Sequence, residues 1–353
     1  MKNTACATIP TVETPRQAQY IPLAQQSERD QIWDERKAWA DTMMRSLMSI
    51  QDPQFVRYAD RVRDCAEALF FWLRTDTSTG ELALKLKSAP FCHWRHCPIC
   101  GWRRGLKTKA IIYQALKPVL DQYPTSRWIF LTLTVQNPDI HDLRDTIKHM
   151  GSSLRRMMQR KNWPAQGWIC AIEVTLGKDG NPHPHFHLLL QVPSSYFKGP
   201  NYINTREWVR RWREALRADY DPVCDVRVIK PRQKDIEALQ ATQELNPGQE
   251  PLAPRIEALR SAISEVAKYP VKAVDLIKAG PEWLAEFIRQ VHGLKFLTSG
   301  GTLKGILKDV REEGKQDLVH VGDGDEGQGS DDDQTLNFHW RKAAKQYQRK
   351  RGR

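Results

Sequence analysis

No stretch of this 353-residue chain is apolar for long enough to cross a bilayer, and Met1 to Asp30 contains no signal-peptide core. The expected compartment is therefore the cytoplasm, with no membrane partner. Cysteine is sparse, seven residues in all, and in a reducing compartment these do not build a disulfide framework. Acidic residues are the minority charge: 42 Asp and Glu face 54 Lys and Arg, a formal net charge of +12. Arg, Trp and Tyr are interspersed through the basic regions, which favours a polyanion partner, most simply nucleic acid. The length exceeds what one core usually absorbs, so two or three structural units are expected.

Three of the seven cysteines, Cys92, Cys97 and Cys100, fall together in Phe91-Cys92-His93-Trp94-Arg95-His96-Cys97-Pro98-Ile99-Cys100. A Cys-x-x-Cys turn lets two thiolates converge on one tetrahedral Zn²⁺, and Cys92 supplies a third by proximity. Cys65 is the preferred fourth ligand because it opens the apolar segment that returns to this knuckle; His93 and His96 are rivals. Cys6, Cys170 and Cys224 have no partners at metal spacing. Behind the knuckle, Gly101 to Lys109 opens a helix whose cations, Arg103, Arg104, Lys107 and Lys109, suit phosphate contacts.

Periodicity gives the remaining elements. Residues 1–30 lack an apolar period and read as a disordered tail; an amphipathic helix follows over Gln31 to Ile50, stopped at Asp52-Pro53. Arg127 to Val135 is apolar on nearly both faces, as a covered central strand would be, and a helix follows over His141 to Gln159. Trp168 to Leu176 and His183 to Leu190 are further strands joined by a hairpin. Period 2 turns His185 and His187 one way and Phe186, Leu188 and Leu190 the other. Glu173, a carboxylate in an otherwise apolar strand, is the candidate third ligand. A two-residue turn at Asp179-Gly180 would set Glu173 opposite Phe186, on the wrong face. An odd loop, such as Lys178 to Pro182, would set it opposite His187. Two imidazoles and a carboxylate suit Mg²⁺ or Mn²⁺ acting on a phosphate, and Zn²⁺ would bind as well.

A helix is expected over Asn204 to Arg217, with Trp208 and Trp212 either stacking on bases or packing in the core, then a strand over 223–230 and a surface insertion over Gln240 to Pro254. The helical pattern from Arg255 to Asp275 sets Glu265 and Tyr269 on one face, and Pro270 ends or kinks it there. Lys272 can turn back toward the phenol and stabilise its phenolate. Pro281 to Phe296 is helical in pattern. Glu312 to Asp333 is acidic and Gly-rich, a linker, and the basic run from Trp340 to Arg353 reads as a solvated tail, a DNA arm or a clasp on that linker.

Taken in order, Cys92-x4-Cys97-x2-Cys100 with Trp102-Arg103-Arg104, Phe130 to Thr134, His183-Pro184-His185-Phe186-His187 and Glu265-x3-Tyr269-x2-Lys272 resemble the rolling-circle replication initiators of small bacterial plasmids. These form the single-tyrosine branch of the His-hydrophobe-His (HUH) endonucleases. The resemblance spans roughly residues 60–305 and includes the Gly300-Gly301 segment. It implies an α+β fold, a central antiparallel sheet with flanking helices similar to an RNA-recognition fold, preceded by a helical zinc-binding module. The implied division is a tail over 1–30, the zinc and DNA-contact module over 31–125, the nicking domain over 126–310, and the acidic linker and basic tail over 311–353. Tyr269 would attack a scissile phosphate oriented by the metal on His185, His187 and Glu173. Lys272 would steady the developing charge, and Glu265 would activate water to end the cycle. The implied partners are a plasmid origin with a single-stranded hairpin, and a host helicase and polymerase. A transposase or mobilisation relaxase shares this chemistry, and a zinc-dependent DNA-binding regulator is the non-enzymatic alternative.

Overall fold

The computed structural model describes residues 20–75, 80, 82–230, 252–267, 273–307, 318–319 and 334–350. In chain order its helices and strands are β1 (Tyr20–Pro22), α1 (Leu23–Gln26), α2 (Ile32–Ser49), α3 (Pro53–Asp64), β2 (Ala68–Thr75), β3 (Leu82–Ser88), α4 (Pro98–Gln122) and β4 (Arg127–Thr134). They continue with α5 (Leu143–Met158), β5 (Gly167–Leu176), β6 (Pro182–Val192), α6 (Thr205–Leu216), β7 (Cys224–Ile229) and α7 (Leu252–Val266). The last are α8 (Ala273–Lys278), α9 (Pro281–Val291), β8 (Leu297–Gly301), β9 (Thr335–Arg341) and β10 (Gln346–Lys350).

The expected α+β architecture is present, with two antiparallel five-stranded sheets rather than one. The central sheet has the order β7-β4-β6-β5-β8 and the terminal sheet β1-β10-β9-β2-β3. The central sheet is covered on both faces because its strands are apolar on both. Ile129, Leu131, Leu133, Phe186, Leu188 and Leu190 face α5 and α6, where Trp208 and Trp212 are fully buried. These two indoles therefore belong to the core, and Trp212 Nε1 donates to the Thr134 carbonyl at 2.7 Å. Trp128, Phe130, Ile169, Ala171 and Leu189 face the other way, onto Ile112, Leu116 and Leu120 of α4 and Leu259, Ile263 and Val266 of α7. At the sheet edge β8 lies close on β5: a Cβ on Gly301, whose φ is +62°, would meet the Gln166 carbonyl oxygen at 2.0 Å.

The β5–β6 hairpin has an odd loop, but not the expected one. Pro182 belongs to the strand, opposite Leu176, and Gly177 N–H donates to the Asn181 carbonyl at 2.8 Å to close the loop. The next pair outward from that bonded one is non-hydrogen-bonded, so the N–H that Pro182 lacks is not needed. Glu173 consequently opposes His185, not His187, and His187 opposes Ala171. The shift is two residues, so all three groups still share a face.

The terminal sheet corrects two expectations. Within the expected tail, Tyr20–Gln26 forms β1 and α1; within the expected linker and tail, Thr335–Lys350 forms a β-hairpin. Leu336, Phe338 and Trp340 alternate into the core and Tyr347 joins them, a period-2 signal masked by the surrounding cations. Residues 1–19 and most of the acidic stretch lie outside the described residues.

One helix ties these pieces together. Asp34, Lys37 and Asp41 lie at i, i+3 and i+7 on one face of α2, and all three are buried. Asp34 accepts from Tyr347 N–H at 2.7 Å, and Asp41 from Trp340 Nε1 at 2.8 Å. Lys37 Nζ, fully buried, donates to the carbonyls of Arg63 at 2.8 Å and Cys65 at 2.7 Å and lies 3.2 Å from a Glu67 carboxylate oxygen. Lys37→Met removes these bonds while leaving the acceptors in place, at a cost of about 2–3 kcal/mol for stranding buried polar groups. A thermal melt is expected to shift down by several degrees; an unchanged melt would show that the carbonyls find other partners.

Candidate functional site

Strands β5 and β6 hold the three candidate ligands rigidly. Glu173 Oε2 lies 2.9 Å from His187 Nε2 and 3.3 Å from His185 Nε2, and one donor atom from each residue falls within 4.8 Å of the others. Around an octahedral Mg²⁺ with bonds of about 2.1 Å, adjacent ligand atoms are roughly 3.0 Å apart. Both histidines are oriented from behind. His185 Nδ1 faces the His183 carbonyl at 3.1 Å, and His187 Nδ1 faces the Thr132 hydroxyl at 3.2 Å.

The donor set favours a cation. A carbonyl only accepts, so the proton of a neutral His185 sits on Nδ1 and its Nε2 lone pair faces a carboxylate. A metal between them would relieve that clash. Burial pushes the Glu173 carboxyl up, but its bonds to His185 and His187 outweigh burial and hold it well below the usual carboxylate range. Glu173 is thus an anion at neutral pH, as a ligand must be.

Beside the centre, His183 Nδ1 lies 2.6 Å from Asn137 Oδ1, and Asn137 Nδ2 donates to both Asp179 oxygens at 3.1 Å. Asp179 also accepts from Asn181 N–H, so it fixes the hairpin loop whose register places Glu173. Sequence reasoning missed Thr132, Asn137 and Asp179. The Asp-Gly loop and the Asn-Pro strand end were the available signals, but only the fold shows that they meet.

The second cluster is built at two helix ends. Cys65 caps the C-terminus of α3, Cys97 caps the N-terminus of α4 and Cys100 lies in its first turn. Cys65 Sγ is 3.5 Å from Cys100 Sγ and 3.6 Å from Cys97 Sγ, and Cys92 Sγ is 3.7 Å from Cys100 Sγ. Tetrahedral Zn–S bonds of about 2.3 Å set sulfurs roughly 3.8 Å apart, close to this spacing. Bonds from neighbouring thiols, Cys100 foremost, pull Cys92 well below the ordinary thiol value, while burial pushes Cys97 well above it. The rival His96 packs on Trp94 and Phe287, and burial lowers its pKa to about 3. Cys170 and Cys224 stand apart, both pushed up to about 12 by burial.

The expected phosphate contacts divide. Arg103 is turned inward: it is buried, donates to the carbonyls of Leu318 at 2.8 Å and Val319 at 2.6 Å, and lies over the Trp33 and Trp102 rings. It packs the fold and does not present a cation to solvent. Arg104 donates to the His93 carbonyl at 2.6 Å, closing the knuckle. Lys107 and Lys109 are half-buried on α4. Lys109 continues, three residues before Ile112, the stripe that α4 lays on the central sheet.

Glu265 is half-buried near the end of α7; Tyr269 and Lys272 lie outside the described residues. The described part of α7 packs on the central sheet. Arg255 near its start donates to the Ser126 carbonyl at 3.3 Å, at the foot of β4, and Val266 and Ala267 at its end are buried against the sheet. Arg255 to Ala267 spans about 18 Å along a helix. Ser126 to Thr132, which opposes His187, spans about 20 Å along a strand.

A carboxylate and two imidazoles on one face of an antiparallel sheet, with a four-thiol cluster at the head of the helix beneath, define an α+β protein with two candidate metal sites. No helix among the described residues is long and apolar enough to cross a membrane. Residues 83–348 match the family described as "Replication protein", and the chain belongs to that family. It is 33% identical over 341 residues to a protein rep of Bacillus amyloliquefaciens, covering 89% of this chain and 93% of that one. A protein rep of Lactiplantibacillus plantarum is 34% identical over 284 residues, 77% and 81% of the two chains. A replication protein of Staphylococcus aureus is 35% identical over 234 residues, 63% and 88%. These relatives agree with the resemblance to plasmid rolling-circle replication initiators. No solved structure matches the chain.

The two sites are separable by metal content. Purified protein is expected to carry one Zn²⁺ by elemental analysis, lost in Cys100→Ser together with much of the thermal stability. The double variant His185→Ala, His187→Ala is expected to retain that Zn²⁺ while weakening Mn²⁺ binding at least about 100-fold by calorimetry. Loss of Zn²⁺ in the histidine variant would overturn the assignment.

Proposed function

We propose that this plasmid replication initiator nicks one strand of its origin through a tyrosyl nucleophile and later rejoins it. The observation that supports this is the convergence of Glu173, His185 and His187 on one face of the central sheet, against which α7, the helix that precedes Tyr269 in the chain, also packs.

Glu173, His185 and His187 would hold Mg²⁺ or Mn²⁺, which would supply charge neutralisation at the scissile phosphate. The protein's own groups do the rest. The Tyr269 phenol gives its proton to solvent, with Lys272 stabilising the phenolate, and its oxygen bonds to phosphorus. The bond from phosphorus to the 3′ oxygen breaks, and that oxygen takes up a proton. The products are a 5′-phosphotyrosine and a 3′-hydroxyl, which primes a host polymerase as a host helicase opens the duplex. Glu265, the base in this reading, takes a proton from a water that cleaves the regenerated nick site in place of a second tyrosine; the 3′-hydroxyl so freed attacks the phosphotyrosine phosphorus, displaces the Tyr269 oxygen and rejoins the strand. Lys107 and Lys109 on α4 contact the backbone of the strand being cut.

With single-stranded origin oligonucleotide and Mn²⁺, the protein is expected to form a covalent adduct that maps to Tyr269. Tyr269→Phe abolishes the adduct, and Glu173→Gln lowers its rate at least about 100-fold. An adduct that persists in Tyr269→Phe overturns the nucleophile, and cleavage unaffected by His185→Ala with His187→Ala favours a zinc-dependent regulator with structural histidines.

A further inference from the structure

The strands of the terminal sheet carry one sign of charge. Between them β1, β2, β3, β9 and β10 hold Arg74, Lys85, Lys87, Arg341, Arg349 and Lys350, and no Asp or Glu. Acids make up 42 of the 353 residues of the chain, so several would be expected here even allowing for their depletion in strands. Alternation decides where the charge goes. Leu69, Phe71, Leu84, Phe338 and Tyr347 face the core, which leaves Phe70, Trp72 and Lys85 half-buried on the opposite face and Lys87, His339 and Lys350 exposed on it.

Aromatic rings and cations meet on this face. The Arg74 guanidinium lies 4.9 Å and the Lys87 ammonium 5.6 Å from the centre of the Trp72 ring, and the Arg341 guanidinium lies 4.7 Å from that of Tyr20. Five strands at about 4.8 Å spacing make a face roughly 19 Å wide. Basic and aromatic, it pairs stacking surfaces for bases with cations for phosphates. Stacking requires unpaired bases, so these rings suit a single strand better than a duplex.

We propose that the outer face of the terminal sheet binds single-stranded DNA without sequence preference, apart from the metal centre. Bases stack on Trp72 and Phe70, and Lys87, Arg341 and Lys350 hold the phosphates. This rests on the reading of the protein as an initiator that opens its origin. The strand displaced there is the ligand of matching chemistry, so the face keeps it from closing back on the template.

The test uses the full-length protein and a fluorescent oligo(dT) probe. Trp72→Ala and the charge reversal Lys87→Glu with Lys350→Glu are each expected to lower affinity at least tenfold. The reversal also flattens the salt dependence of log K by about 1.4, the value for two phosphate contacts on a single strand. Trp72→Phe, which keeps a stacking ring, is expected to retain most of the affinity. Nicking of a short oligonucleotide that spans only the nick site is expected to be unchanged in all of them. Wild-type affinity in the charge-reversal protein, with an unchanged thermal melt, overturns the proposal, as does loss of duplex binding with single-strand binding intact. Weakened oligo(dT) binding in protein that does not nick at all supports the face and removes the nicking reading instead.

Discussion

A parity governs this protein. Strand β6 is buried on one side by α5 and α6, so Phe186, Leu188 and Leu190 must face those helices and His185 and His187 must face away. Glu173 joins the histidines only if the loop between β5 and β6 has an odd number of residues, and Gly177 to Asn181 is such a loop. The polar knot of Asp179, Asn137 and Asn181 holds that loop closed. A slip of one residue would bury the carboxylate among the core aromatics and leave two histidines without a partner. The arrangement of the three groups is thus decided by hydrogen bonds in the neighbouring hairpin loop.

Helix α4 connects the two units. Cys97 caps it, Cys100 lies in its first turn and its last turns pack beneath β4, β5 and β6, so the thiol cluster and the sheet that bears Glu173, His185 and His187 are tied to one helix. From the other side, Lys37 of α2 grips the turn that bears Cys65, and Asp34 and Asp41 of the same helix grip the terminal hairpin. A metal in the cluster would therefore order more than a knuckle: it would brace the terminal sheet against the helix that runs under the central sheet.

The sequence was most legible where one physical rule dominated. Periods of two and of three to four placed β4, β5, β6, α5 and α6, with Asn204 capping α6 through its bond to Glu207 N–H. Ligand types and spacing singled out Cys65, Cys92, Cys97, Cys100, Glu173, His185 and His187, the residues that the structure brings into two groups. Composition misled where it outweighed pattern. The cations around Trp340 hid the alternation of β9 and β10, and Arg103 read as a phosphate contact because its guanidinium looks the same in sequence whether it faces water or the Leu318 and Val319 carbonyls. The pairing of Glu173 with His185 rather than His187 was beyond reach, since two odd loops differ only in which backbone groups bond across the hairpin.

The pairing of β1 with β10 has a bearing on how the molecule is made. Tyr20 lies opposite Lys350, so the terminal sheet joins segments from opposite ends of the described chain, while the central sheet closes through contacts made by residues between them. Contacts of such long sequence separation form late, after the loop between them has been gathered in. During synthesis the central sheet can assemble while β1, β2 and β3 wait for β9 and β10 to leave the ribosome. Until then β2 presents an unpaired edge, and its lack of acidic residues gives that edge nothing but Arg74 to discourage association. The same arrangement makes the sheet a checkpoint for completeness, because a chain cut short before Thr335 keeps only the β2–β3 hairpin of it.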